Sequence, residues 1–385
     1  MSLTKLWASS PDQLESKHIK QVIAFAGNGK LTDEGEASTE FRNYLSHIPA
    51  IFLNRYANEC LKDKFDESGF ALQDIVNEVG KRLGFKVTNG RYRGVQNQSG
   101  HDGCWISNDG YGLLVEVKTT DAFRIDLNNV ANYRQQLIED RTLLPDRSAV
   151  LIIVGRNDTG DLEAQIRGSR HAWDIRLISV EALLRLMKIK EDVEDPKIIH
   201  QLADILIPRE YTKLDSIIDL VFSTAEDIQD EIPEDAEHGS EQSKFIPVSF
   251  HNACIRRIEI SLQKKLIKQT RATYMSADGN INLVCSISRI HDLPGKNRYW
   301  YSFHPHQKEF LSKTKVGYIA FGCGSEKKII LIPFKEFSSW LDKMNVSTMK
   351  DKRFYWHVFI YENKDKYELH LKKGNAYIDL TKFKI

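Results

Sequence analysis

The sequence predicts an α/β protein with helices on a mixed sheet, flanked by a helical N-terminal region and a separate α+β C-terminal domain. Three observations support this prediction. Residues 71–222 alternate between helical and strand patterns, whereas residues 1–70 place apolar residues mainly at helical spacing. Residues 244–385 contain many short aromatic and β-branched runs, which are typical of strands.

The alternating region predicts its elements in a definite order. Apolar periodicity indicates helices, short apolar runs indicate strands, and Ser179 is placed to cap the last helix. The predicted elements are helix Gln73–Leu83, strands Phe85–Val87, Cys104–Ile106 and Leu113–Lys118, helix Asp126–Ile138, strands Ala149–Val154 and Ile175–Ile178, and helix Val180–Met187.

Composition is that of a globular protein, with 41% hydrophobic and 28% charged residues among 385. No apolar run is long enough to span a bilayer, and the N-terminus lacks the apolar core of a signal peptide. The five cysteines are widely spaced, which argues against a disulfide framework or a zinc site. We therefore expect a cytoplasmic protein with no membrane partner.

Charge is divided unevenly along the chain. Residues 244–385 carry 26 Lys and Arg against 12 Asp and Glu, a net charge of +14, which leaves residues 1–243 with a net charge of −13. A basic domain indicates a polyanionic partner such as nucleic acid, and the alternative is a solvated lysine-rich surface.

An acidic segment separates the two oppositely charged parts. Residues 223–243 begin with Ser223–Glu241, which holds eight acidic residues and no Lys or Arg. Such a segment buries too little apolar surface to fold, so a linker is predicted. The alternative is an acidic mimic of the nucleic-acid backbone that occupies the basic domain when substrate is absent.

Three charged residues form the strongest candidate site. Glu116 and Lys118 are two apart in one predicted strand and therefore project from the same face. The turn at Asn108–Gly110 would bring Asp102 close to Glu116. The two carboxylates would then share Mg²⁺, with Lys118 beside a bound water. The alternative is a solvent-facing edge strand with a simple Glu–Lys pair.

These residues resemble the signature of the PD-(D/E)XK nuclease superfamily. The matching runs are Gly100-His101-Asp102-Gly103 and Gly112–Thr120, with Glu116 fourteen positions after Asp102 and His101 in place of the usual Pro. The resemblance covers about residues 73–190, and the predicted αβββαβ order is similar to that superfamily. It implies a restriction-endonuclease-like core, metal binding by Asp102 and Glu116, and action of Lys118 on the attacking water.

Further residues are candidates around this centre. The resemblance implies an acidic residue on the preceding helix, where Glu78 is best placed as a metal ligand, and an exposed helical Glu is the alternative. Arg91 and Arg93 lie on a glycine-flanked loop and are predicted to hold a phosphate, with Tyr92 stacking. A solvated loop is the alternative there.

Basic and aromatic residues of the C-terminal domain suggest contacts with nucleic acid. The predicted contacts are a helical run and one later arginine: Lys264, Lys265, Lys268, Arg271 and Arg298. Other aromatic residues are predicted to lie in the core: Trp300, Phe303, Phe321, Trp340 and Trp356.

Taken together, these features predict a Mg²⁺-dependent DNA endonuclease, with Mn²⁺ as the alternative cation, acting in restriction or defence against invading DNA. A homodimer would allow both strands to be cut. Two alternatives stay open. One is a nucleic-acid-binding or regulatory protein that does not cleave. The other is a nuclease subunit that needs a partner ATPase or helicase, because the chain has no nucleotide-binding loop.

Overall fold

A computed structural model shows two compact units, Met1–Ile228 and Gln229–Ile385. The acidic segment 223–243 lies outside the described residues apart from Thr224. Within the described ranges, every helix is too short or too polar to cross a membrane. The structure describes residues 2–63, 65–93, 100–119, 124–156, 158–208, 220–221, 224, 247–293, 296–348, 354–372 and 377–385.

The first unit begins with helices, as predicted. Pro49 separates the last two of them, because proline has no N–H to continue the first helix. The buried side chains of Trp7, Tyr44 and Tyr56 pack this region together. The helices are α1 (Leu3–Ser9), α2 (Asp12–Glu15), α3 (Ile19–Phe25), α4 (Glu36–Ser46) and α5 (Ala50–Lys62).

A mixed five-stranded sheet follows in the same unit, which confirms the predicted α/β class. The strand order is 1-2-3-4-5, with the first two pairs antiparallel and the last two parallel. Its elements are α6 (Ser68–Leu83), β1 (Lys86–Asn89), β2 (Gly103–Ile106), β3 (Gly112–Lys118), α7 (Leu127–Glu139), β4 (Ser148–Val154), α8 (Gly160–Arg167), β5 (Ile175–Ser179), α9 (Val180–Asp192) and α10 (Pro196–Asp204).

Local signals explain where these elements begin and end. Gly84 ends α6 with φ +103°, a conformation that favours glycine. The Asp126 side chain caps α7, and Ser179 caps α9 by accepting from the Ala182 N–H, as predicted. Gly110, with φ +83°, closes the turn that makes β2 and β3 an antiparallel hairpin. Helix α8 was not predicted from the sequence.

The second unit contains two sheets and is of the α+β type. Its elements are α11 (Pro247–Leu262), β6 (Leu266–Lys268), β7 (Thr273–Ser276), β8 (Ile281–Ser288), β9 (His291–Leu293), β10 (Lys296–Phe303), α12 (Pro305–Ser312), β11 (Val316–Cys323), β12 (Ile329–Pro333), α13 (Phe334–Ser338), β13 (Val346–Thr348), β14 (Phe354–Asn363), β15 (Lys366–His370) and β16 (Tyr377–Asp379).

These elements form layers. One sheet has the order β12-β11-β8-β7-β6, and the other has β16-β15-β14-β10-β9 with β13 also beside β14. The main core lies between the two sheets and includes Tyr301 from one and Phe321 from the other. Helix α11 covers the opposite face of the first sheet, where Cys254 and Ile258 are buried. The outer face of the β10–β14–β15 sheet contributes to neither core.

One element prediction in this unit is wrong. The basic run from Lys264 to Arg271 was predicted as helical, but α11 ends at Leu262 and Gln263 adopts φ +53°. Leu266 and Ile267 are buried and pair with β7. Strand pairing of these two apolar residues overrides the helical spacing of the lysines.

Candidate functional site

The β2–β3 hairpin brings Asp102 alongside Glu116. In this antiparallel pairing Gly103 lies opposite Val115. Asp102, the residue before Gly103, is therefore next to Glu116, the residue after Val115. The Asp102 N–H donates to the Val115 carbonyl (3.0 Å), and the Val117 N–H donates to Asp102 Oδ2 (2.6 Å). The Asp102 side chain is therefore held against the strand that carries Glu116.

Glu116 and Lys118 lie on one face of β3, the central strand of the sheet. The Glu116 side chain is buried, whereas the Lys118 side chain is 35% exposed, and Lys118 Nζ donates to Glu116 Oε1 at 2.5 Å. The predicted juxtaposition of the three charged residues is present. The alternative of a solvent-facing edge strand is wrong, because β3 has neighbours on both sides.

Only one oxygen of the Glu116 carboxylate is used by the described residues. Its Oε2 atom is buried and has no hydrogen-bond partner among them. A buried carboxylate oxygen without a partner is costly. Carboxylate oxygens, such as this one and those of Asp102, are the ligands that Mg²⁺ prefers, and this cation is commonly held by one or two carboxylates plus water and phosphate. Within the described ranges, no group of three or more His, Cys, Asp or Glu is placed to hold a metal.

Burial and mutual repulsion set the electrostatics of the site. Burial raises the pKa of the Asp102 carboxyl and the Glu116 carboxylate raises it further, although the Val117 N–H and Lys118 act in the opposite direction. Burial alone would lower the pKa of Lys118, but Glu116 and Asp102 outweigh it, so the pKa of Lys118 is raised. Two acids and one ammonium group thus share a partly dehydrated site.

Helix α6 supports Asp102 through two amide side chains. Gln73 Nε2 and Asn77 Nδ2 both donate to the Asp102 carbonyl, at 3.0 and 2.9 Å. The Asn77 Oδ1 atom also accepts from Trp105 Nε1 at 2.9 Å. Sequence reasoning missed Gln73 and Asn77. Their spacing of four residues places both amides on one face of α6, but it does not show that this face meets the hairpin.

Glu78, the predicted metal ligand on α6, makes its contacts elsewhere. Arg82 Nε donates to Glu78 Oε1 at 3.0 Å, and Lys81 Nζ lies 3.7 Å from Oε2. Arg82 also donates to the carbonyls of Leu45 and Ile48, at the end of α4 and just beyond it. The metal-binding role of Glu78 stays a prediction.

Arg91 and Arg93 are both exposed, on either side of an anchored Tyr92. The Tyr92 N–H donates to Asp33 Oδ1 (2.8 Å), and the Tyr92 hydroxyl donates to Asp74 Oδ2. The expected stacking of Tyr92 on a ligand is wrong, because this ring is buried in the protein. The two arginines remain available for the predicted phosphate contact.

Helix α7 adds Tyr133 to the surroundings of the site. Asn129 Nδ2 donates to the Tyr133 hydroxyl at 3.0 Å, and a Cβ atom built on Gly100 would lie 2.9 Å from that oxygen. Tyr133 also acts electrostatically on Lys118. The i,i+4 spacing of Asn129 and Tyr133 places both side chains on one helix face.

The basic residues predicted to contact nucleic acid in the second unit lie on different elements. Lys264 follows α11 and forms an ion pair with Asp278 (2.7 Å). Lys265 precedes β6, Lys268 ends it, and Arg271 lies between β6 and β7; Arg298 belongs to β10 of the other sheet. Their contact with nucleic acid stays a prediction.

Comparisons with known proteins give no family for this chain. No family model matches it, and no curated protein matches it.

Proposed function

We propose that the first unit is a metal-dependent endonuclease that hydrolyses phosphodiester bonds of DNA, in the manner of PD-(D/E)XK enzymes. The observation that carries the proposal is the buried Glu116 carboxylate, which lies beside Asp102 and Lys118 and has one oxygen without a hydrogen-bond partner among the described residues. The order α6-β1-β2-β3-α7-β4 around these residues also supports it, because it is the order expected of that superfamily.

Each residue has a distinct task in this proposal. Asp102 and Glu116 would hold Mg²⁺, or Mn²⁺ in its place. When bound, such a cation makes water more acidic and balances the charge that builds on the phosphate. Lys118 would orient the attacking water, and Gln73 and Asn77 would keep Asp102 in position. By resemblance, the products would carry 5′-phosphate and 3′-hydroxyl ends.

The proposed setting is restriction or another defence against invading DNA in the cytoplasm. One such site cuts one strand, so double-strand breaks would require a homodimer or two successive events. All five cysteines are buried and unpaired, which suits a reducing compartment. A partner ATPase would be needed only for translocation along DNA.

A non-cleaving nucleic-acid-binding protein is the second candidate. The observation that favours it is the Lys118–Glu116 ion pair at 2.5 Å, which neutralises part of the acidic site without a cation. A scaffold that had lost catalysis would keep such a pair for stability. The two candidates differ in whether DNA is cut.

Cleavage of supercoiled plasmid tests the proposal. We expect the wild-type protein with Mg²⁺ to nick plasmid DNA, and K118A and E116Q to lower the rate by about a hundredfold or more. K188A and E181Q are matched controls, because both residues lie on the outer side of α9 in exposed i,i+4 ion pairs. Equal nicking by K118A and the wild type would contradict the proposal. Binding without nicking on methylated and unmethylated DNA would favour the second candidate.

A further inference from the structure

The outer face of the β10–β14–β15–β16 sheet carries a row of rings. Trp300 lies opposite Phe359, Phe359 lies opposite His370, and His370 lies opposite Tyr377. Residues that are opposite each other in an antiparallel pair project from the same face. Four rings therefore cross four adjacent strands and span about 14 Å, since neighbouring strands are ~4.8 Å apart.

A second line of rings runs along β14 and crosses the first at Phe359. Tyr355, His357, Phe359 and Tyr361 alternate with buried residues of the core, so all four are on the outer face. The ring centroids of His357 and Phe359 are 5.7 Å apart with an interplanar angle of 1°. The Tyr361 and His370 centroids are 4.0 Å apart. We call these two crossing lines the aromatic face.

The aromatic face is partly open to solvent. Tyr377 is 57% exposed, and the other rings are half-buried. The core prediction for Trp300 is therefore wrong, whereas Phe303, three residues later and on the other face of β10, is buried as predicted. Contiguous apolar surface of this kind usually marks an interaction site.

Hydrogen bonds hold two rings of this face, those of Trp300 and His357, in fixed orientations. Trp300 Nε1 donates to His357 Nδ1 at 3.0 Å, so the proton of the neutral imidazole lies on Nε2, which donates to Ser347 Oγ at 2.7 Å. Burial lowers the pKa of His357, which favours the neutral ring. These two rings are thus ordered before any ligand arrives, which reduces the entropy cost of binding.

Charge identifies the class of ligand. Residues 244–385 carry a net charge of +14, so a polyanion is favoured. Arg298 lies on the same face, opposite Tyr361, and its Nε atom is buried without a hydrogen-bond partner among the described residues. Tyr361 in turn lies opposite Glu368, and Glu368 lies opposite Asp379. This row of residues therefore has its positive end at Arg298 on β10 and its negative end on β15 and β16.

We infer that the aromatic face binds single-stranded nucleic acid, with two or three unpaired bases stacked on its rings and the backbone directed towards Arg298. Flat rings on an ordered sheet can stack on any base, because every base has an aromatic face. Bases of a duplex are already stacked on one another and cannot reach such a surface. This inference does not depend on the proposed cleavage, because it concerns other residues and needs no metal.

Binding in the absence of divalent cations tests the inference. The full-length protein in EDTA is titrated into fluorescein-labelled 12-nucleotide single-stranded DNA, single-stranded RNA of the same sequence, and the corresponding DNA duplex, with anisotropy as readout. We expect at least one single strand to bind about tenfold or more tightly than the duplex. Absence of binding to both single strands, or tighter binding of the duplex, would overturn the inference.

Variants separate stacking from other contacts. F359A and Y377A are expected to weaken single-strand binding by about five- to a hundredfold each, whereas F359W should retain it. Y377A removes little packing because the Tyr377 side chain is exposed, so misfolding would not explain its effect. W173A is the matched control, since Trp173 is a 73% exposed aromatic residue of the first unit. Unchanged binding by both F359A and Y377A would refute the stacking role.

Discussion

Glu116 shows how one buried side chain connects sequence pattern to chemistry. A carboxylate on the central strand of a sheet loses most of its hydration, and burial of a charge is tolerated only when it is paired. Lys118 supplies one partner, at 2.5 Å, and leaves Oε2 without any among the described residues. A divalent cation would satisfy that oxygen and reduce the repulsion between Glu116 and Asp102.

Cation binding is therefore expected to depend on Glu116. Titration of the protein with Mn²⁺, followed by electron paramagnetic resonance of the free ion, should give an affinity that falls about tenfold or more in E116Q. The amide removes the charge but keeps the shape, so the variant should fold. E181Q is the control and should bind Mn²⁺ as the wild type does. An E116Q affinity equal to that of the wild type would mean that the cation, if bound, is held elsewhere.

At the scale of elements, the β2–β3 hairpin was predictable because its signals are local. An alternating strand pattern and the Asn108–Gly110 turn were sufficient to place Asp102 beside Glu116. Which residues of α6 face that hairpin was not predictable, because this depends on how the helix is rotated about its axis. Gln73 and Asn77 face Asp102, whereas Glu78 forms its ion pairs with Lys81 and Arg82.

The incorrect predictions arose where residue spacing alone did not determine the strand pairing or the buried face. The run Lys264–Arg271 has lysines at helical spacing, but Leu266 and Ile267 pair with β7, several residues further along the chain. Likewise, Trp300 and Tyr301 are equally apolar, and only the pleat of β10 decides that Tyr301 enters the core. An alternating pattern indicates that successive side chains lie on opposite faces of a strand, but it does not indicate which face is buried.

The loop that carries Arg91 and Arg93 depends on the absence of a side chain at Gly90. A Cβ atom there would lie 1.9 Å from the His101 carbonyl oxygen, and the Gly90 N–H donates to the Asp102 carbonyl at 3.0 Å. We expect G90A to displace the loop, to destabilise the protein by about 1–3 kcal/mol and to lower DNA cleavage.

Urea denaturation and the plasmid assay measure the two effects of G90A. The control is G69A in α6, where a Cβ atom would meet nothing within 4 Å. That variant should be neutral or should stabilise the protein by up to about 1 kcal/mol, because alanine favours a helix. If G90A proved as stable and as active as G69A, the close approach at Gly90 would have no role in the site.

In the second unit, Glu362 of one sheet forms an ion pair with a lysine of the other sheet and accepts several hydrogen bonds. Its carboxylate accepts from Tyr299 (2.6 Å), Tyr367 (2.9 Å) and Asn297 (3.1 Å), and Lys328 of the other sheet's β11–β12 hairpin lies 2.7 Å away. Burial alone would raise the pKa of Glu362, but Lys328 and these donors outweigh it and lower the pKa from 4.5 to about 2.

A depressed carboxyl pKa makes the stability of this unit dependent on acid pH. The stabilisation by Glu362 is complete above the unfolded pKa near 4.5 and is lost as pH falls towards 2. We expect E362Q to reduce the free energy of unfolding by about 1–3 kcal/mol at pH 7, and the difference from the wild type to shrink by pH 2.5. Urea denaturation at both pH values checks this. The exposed E309Q on α12 should match the wild type throughout, and a pH-independent E362Q difference would contradict the assignment.

For the whole molecule, the main feature is the separation of charge between its two parts. Residues 1–243 carry a net charge of −13 and residues 244–385 carry +14, so an anionic polymer is attracted to one part and repelled by the other. The acids of the proposed cation site would add to that repulsion until a cation binds. Capture of nucleic acid and its cleavage would therefore depend on different residues and respond to different solution conditions.

Salt dependence of single-strand binding should distinguish the two kinds of contact in the second unit. Backbone contacts release counterions, so the logarithm of the affinity should fall linearly with the logarithm of salt concentration, by about 0.7 for each phosphate neutralised. Stacking of bases on rings releases no counterions. We therefore expect F359A to bind more weakly with an unchanged slope, and R298A to give a slope shallower by about 0.7. Anisotropy titrations in EDTA at several salt concentrations measure the slope for each variant and for the wild type. A changed slope in F359A together with an unchanged slope in R298A would show that Arg298 makes no phosphate contact and that the aromatic face does not act by stacking alone.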